Sequence, residues 1–270
     1  MLTKTSRYLT YLTALLYFIL GGLMFVLPER MAPLFAWKVS GFVTMTIGAW
    51  CLGNGFLAWI SARRWDWKLV YSALIYLWLF GLLETGVVIA FREKLNLAHP
   101  LAWLYLAALL VNNLTALLGV LDWFRIRPAG ERFGPEVNRA AFSIVVIFIA
   151  FVGFLGAYGL IAKVGAFGTN GGIFPEVMSA FTLRSFAVFY LALALAMVPH
   201  LWNKNLNALL HHAFAAYGLV VIITLAALAY LPLFDFAQRP GGLAYFGAYL
   251  AVGLPLPLAF RTFGTGSRKP

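Results

Sequence analysis

Residues 69–91 read "LVYSALIYLWLFGLLETGVVIAF". As a helix these 23 residues rise about 34 Å, enough to cross the hydrocarbon layer of a bilayer. The stretch holds one acid, Glu84, and no Lys or Arg. An apolar run of this length is too long for an ordinary core helix and reads as a membrane span.

The rest of the chain carries the same signature. Of its 270 residues, 63% are hydrophobic and 11% charged, with 24 Phe, 12 Tyr and 9 Trp. That is too little charge to cover a water-soluble fold, so the chain is an all-α polytopic membrane protein in contact with the lipid bilayer. Seven further stretches are candidate spans, at 8–27, 39–60, 101–121, 141–162, 185–202, 208–231 and 243–260, which makes eight transmembrane helices. The sixth in chain order carries Pro199 and the eighth Pro255 and Pro257. Proline removes a helix hydrogen bond, so both are expected to bend or end early. No small-residue cleavage pattern follows the first span, which is expected to remain.

The net charge of +11 does not indicate nucleic-acid binding, because Lys and Arg fall in short clusters between apolar segments rather than in one basic stripe. Counted in alternate connections, 13 lie on the side of the N-terminus and 7 on the other. This excess places both termini in the cytoplasm of a cell with the chain in its inner (plasma) membrane. The single cysteine, Cys51, excludes an intramolecular disulfide and a Cys-rich metal site.

The longest polar interval, "DWFRIRPAGERFGPEVNR" at 122–139, contains Pro128, Gly130, Gly134 and Pro135. It separates a first four-helix unit, 1–121, from a second, 140–270, with 122–139 as a cytoplasmic linker. The two units echo each other. "VLPERMAPLFAWK" (26–38) and "GIFPEVMSAFTLR" (172–184) each place Pro-Glu-x-Met, then Phe, then a cation, between the first and second spans of a half. An even number of spans per unit keeps the orientation, so two parallel four-helix repeats are expected. Pro28, Glu29 and Lys38, with Pro175, Glu176 and Arg184, then form matching outer connectors. Proline suits the first turn of a short helix, Glu complements its positive end, and the cation reaches headgroup level. This reads as an interfacial helix rather than a catalytic carboxylate.

Four spans with a broken connection after the first, and "LRSFAVFYLALAL" (183–195) opening the next helix, resemble the DoxX-like group of small four-helix membrane proteins. The resemblance covers each half once and implies a helical-bundle unit. Some members of that group are associated with quinone-linked oxidoreductases.

Glu84 is the one acid well inside a span, and Asn112 and Asn113 lie near the middle of the next, antiparallel one. Ionisable groups in a span are costly and face the bundle interior, so these three form a candidate substrate or proton site, with helix-to-helix hydrogen bonding as the plainer alternative. Stripes of small residues, Gly41, Thr44, Gly48, Cys51 and Gly55 on one span and Ala108, Asn112, Thr115 and Gly119 on another, mark faces for close helix packing. His200 ends the sixth span, His211 and His212 begin the seventh, and "LWNKNLN" (201–207) folds them to one level, with His200 expected opposite His211. Imidazoles so grouped can bind a metal, haem or pigment, but no carboxylate is written beside them, and interfacial hydrogen bonding is the preferred reading. No cofactor is expected.

No HExxH, GxSxG, P-loop or GxGxxG occurs, and "GAFGTNGG" (165–172) follows a span rather than a strand. Two functions fit. One is an accessory or structural subunit packed among other membrane protein subunits. The alternative is a small transporter or lipid- or quinone-handling protein with a polar site near Glu84, Asn112 and Asn113.

Overall fold

The computed structural model describes residues 2–128, 134–164, 176–238 and 240–253. The long helices are α1 (Lys4–Val26), α3 (Gly41–Arg64), α4 (Trp67–Ala90), α5 (Pro100–Ile126), α6 (Arg139–Ile161), α7 (Ala180–Met197) and α9 (Leu206–Ala229), with α2 (Pro28–Met31), α8 (His200–Asn203) and α10 (Gly241–Gly253) shorter. Among the described residues seven helical stretches are long and apolar enough to cross a membrane. The expected eighth is represented by the 13 residues of α10. Its continuation, with Pro255 and Pro257, lies outside the described residues, as do Pro175 and the 165–172 stretch.

Local chemistry sets the helix ends. The side chains of Thr3, Ser40, Asp66, Asn138, Ser179 and Asn205 each accept a backbone N–H of the following first turn. Pro100 opens α5 at a position where its missing N–H costs nothing. Helix α5 runs past Leu121, where the fourth span was expected to end, because Asp122 to Ile126 continue it until left-handed Arg127 (φ 43°) precedes Pro128. Pro199 does end its helix: α7 stops at Met197 and α8 resumes at His200.

Successive long helices alternate in direction. Segment 27–40, Phe91 to His99, Glu176 to Ser179 and Tyr230 therefore gather at one end of the bundle, here the connector end, and Lys4, Arg64 and His200 at the other. Helix α3 packs on α1 and α9, α4 on α5, α7 and α9, and α6 on α7. A Cβ on Gly48 would lie 2.7 Å from Phe25 N, and one on Gly21 2.7 Å from Leu52 N, so α1 and α3 cross backbone to backbone. Every residue of both small-residue stripes is buried.

The two connector phrases lie at the same end but are not built alike. Pro28 and Glu29 form the short helix α2, 12 residues before α3 begins, whereas Glu176 is non-helical and 4 residues before α7. Arg184 is not a connector residue. It lies inside α7, and its Nη1 donates to Gly159 O (2.6 Å) and Ala162 O (2.9 Å), capping the carbonyl end of α6. Lys38 is exposed.

Candidate functional site

Beyond α2 the first connector turns into the bundle. Phe35, Ala36 and Trp37 are buried, and Asn96 N donates to Ala36 O at 2.7 Å, fixing the turn. Trp37 then stacks on Phe181 (4.0 Å, 13°) and donates from Nε1 to Thr182 Oγ1 at 3.0 Å, which joins the connector to α7. It forms part of the roof over Glu84.

Glu84 is 3% exposed. Its Oε1 accepts two hydrogen bonds, from Tyr105 Oη (2.7 Å) on α5 and Ser185 Oγ (2.8 Å) on α7. Its Oε2 has no partner among the described residues. Beside it lies a cavity of about 20 Å³, with Tyr17, Trp37, Trp50, Tyr105 and Ser185 in its wall. One carboxyl oxygen is thus held by both halves of the chain, and the other is unpartnered among the described residues in a side chain that lines the cavity. The site can hold a proton or bind a polar group in an otherwise aromatic enclosure.

Asn112 and Asn113 do not reach Glu84. Asn112 Nδ2 donates to Tyr17 Oη (3.1 Å) and Leu77 O (2.9 Å), tying α5 to α1 and α4, and Asn113 Nδ2 donates to Thr85 Oγ1 (2.5 Å). The partners of Glu84 went unrecognised in the sequence. Tyr105 was within reach of hairpin counting: it lies 6 residues past His99, much as Glu84 lies 7 before Phe91. Ser185 has no such signal, since nothing local states that α7 lies against α4.

At the other end, Tyr71 Oη pairs with His200 Nδ1 (3.1 Å). Ser72 Oγ donates to Ala196 O (2.7 Å) and so accepts from His212 Nδ1 (3.0 Å). His200 faces His212, with ring centroids 6.3 Å apart, rather than His211 as the fold-back of 201–207 suggested. Two of the three imidazoles thus serve contacts between helices. Among the described residues no group of three His, Cys, Asp or Glu is placed to hold a metal ion.

The connector end carries a further set of contacts between the halves. Tyr230 Oη donates to Glu29 Oε1 at 2.6 Å, and Ser40 Oγ donates to Glu176. Burial, with a smaller contribution from the Glu29 charge, holds the Glu176 carboxyl above the usual carboxylate range, although the Ser40 hydrogen bond draws it back in part. Burial and the Glu29 carboxylate likewise raise Tyr230, which remains a donor. The halves therefore meet through polar contacts at the connector end, at Glu84 and at the His200 end.

Comparison of the chain with protein-family models, with curated proteins and with solved structures finds no match.

Proposed function

We propose that the protein is a small membrane carrier whose two halves move against each other around Glu84. Glu84 itself carries this reading: a buried carboxyl bonded to Tyr105 of its own half and Ser185 of the other, its second oxygen unpartnered among the described residues, in a side chain that lines a cavity at their junction. An ionisable group within a span marks a ligand or ion pathway more readily than packing. A site between repeats is where rocking exposes a ligand to each side in turn.

The reading includes a duplicated architecture of two parallel four-span units, with α10 belonging to the eighth span. Three features support it. Helices α3 and α7 both open on Ser-small-Phe, at Ser40–Gly41–Phe42 and Ser179–Ala180–Phe181, 139 residues apart. Helices α4 and α9, also 139 apart, are each 24 residues long and begin after an Asp or Asn cap. Exchanging the halves turns the α3–α9 packing into α7–α4, and both exist. The likeness to DoxX-like proteins, residence in the inner membrane and cytoplasmic termini belong to the same proposal, the last resting on the Lys and Arg asymmetry.

The accessory-subunit alternative draws on the apolar faces of α6, where Ile144, Ile147 and Phe154 are 65–67% exposed. Lipid covers such a face as well as a partner does, so it favours neither function. The carrier reading is tested by placing a thiol at the junction, Ser185→Cys with Cys51→Ala, and applying a membrane-impermeant thiol reagent to each side separately. Labelling from both sides is expected. Labelling from one side only, or from neither, contradicts alternating access.

A further inference from the structure

The cavity beside Glu84 has a second polar atom in its wall that the fold leaves unmatched. Trp50 is 3% exposed, lies on Phe189 (4.6 Å, 5°) and Phe186 (4.1 Å, 62°), and its Nε1 has no partner among the described residues. Tyr17 is also in the wall. Its Oη accepts from Asn112, and its own proton is engaged by no other hydrogen bond among the described residues. The residues round the cavity therefore include one carboxyl oxygen and two aromatic donors that no described residue engages.

This set selects among ligand chemistries. Among the described residues no Lys, Arg or His lines the cavity, so an anion would meet Glu84 without a counter-charge. A cation would pair with Glu84 but face the Trp50 N–H and the Tyr17 O–H. An apolar group would leave all three unmatched, and buried polar groups are rarely left so. A hydroxyl group both donates and accepts, and the space of about 20 Å³ suits one oxygen-sized group.

We propose that this cavity takes the hydroxyl group of a neutral ligand, which donates to Glu84 Oε2 and accepts from Trp50 Nε1. The proposal rests on the reading of Glu84 as a ligand site and adds the ligand's class. The hydroxyl belongs either to a small polyol from water or to a neutral lipid from the bilayer, and the probes separate the two.

The test is ¹⁵N-indole NMR of the purified full chain in detergent, with the Trp50 resonance identified by its loss in Trp50→Phe. Glycerol, a monoacylglycerol and tetramethylammonium are titrated in turn. A saturable shift with glycerol identifies an aqueous ligand, and one with the monoacylglycerol alone a bilayer ligand. Glu84→Gln, which keeps both hydrogen-bonding roles, retains the response, and Glu84→Leu weakens it at least about tenfold. No saturable shift with either hydroxyl probe, or an equal shift with tetramethylammonium, overturns the proposal. So does an unaltered titration in a folded Glu84→Leu protein. Two-sided labelling of Ser185→Cys without probe binding removes the ligand class and leaves the carrier. Probe binding without two-sided labelling removes the carrier and leaves the site.

Discussion

Helices α4 and α9 pack against each other and share a plan: each is 24 residues long, after an Asp66 or Asn205 cap. Seventeen residues past the first, α4 carries Glu84 and α9 carries Ile223, both buried. Glu84 is supported by hydroxyls from α5 and α7, whereas Ile223 belongs to the hydrophobic core. The difference teaches that two helices of one plan need not carry the same site. One helix brings the polar group, and the other brings apolar surface to the hydrophobic core.

The contrast breaks most readily at the two positions themselves. Ile223→Ala removes core volume and is expected to lower stability by about 2–4 kcal/mol, read as thermal unfolding in detergent. Two-sided labelling at position 185 should survive in the molecules that fold. Glu84→Gln keeps an oxygen for Tyr105 and Ser185, so its stability should stay within about 1 kcal/mol of the parent. Labelling from one of the two sides should nonetheless fall at least about tenfold, because the charge state that biases the halves is gone. If the two variants behave alike, the distinction between the helices is wrong.

Smaller changes sharpen it. Ser72→Ala leaves the His212 Nδ1–H and the Ala196 carbonyl without their bonds to α4, at a cost of about 1–3 kcal/mol in the same unfolding assay. Trp37→Phe keeps a ring against Phe181 and loses the bond to Thr182, which should cost about 1 kcal/mol. The smallest effect concerns pH. The Glu176 carboxyl is raised by burial and by Glu29, so the folded protein holds this proton more tightly than the unfolded chain. The associated stability is full below the unfolded value of about 4.3 and is lost as pH rises through the folded one. Glu176→Gln should therefore flatten the melting temperature upward from about pH 4.3 and raise it slightly at neutral pH.

Much of the scaffold was legible because its signals are local. Apolar length marks spans, Pro199 marks a break, and a step of three or four between Gly48, Cys51 and Gly55 marks a packed face, all without knowledge of neighbours. Glu84 was legible for the same reason, as an acid in an apolar run. Its partner Ser185 was not, since it meets Glu84 only through the packing of α4 on α7. The repeated Pro-Glu phrase shows a different failure. Matching letters placed Lys38 opposite Arg184, but the helix starts align Phe42 with Phe181, and Arg184 is needed at the end of α6. The histidines missed by one position, because a helix turns about 100° per residue and His212, not His211, faces the break at Pro199.

The central claim is that the halves move as two bodies about Glu84, closing one end as the other opens. Pulsed electron spin distance measurements test it directly in the Cys51→Ala chain, with spin labels on exposed Lys38 and Val177 at the connector end and, in a second sample, on Arg63 and Trp202 at the other. The account predicts two distances in each sample, with Glu84→Gln shifting their populations in opposite senses at the two ends. A single distance at both ends, unchanged by Glu84→Gln, contradicts it.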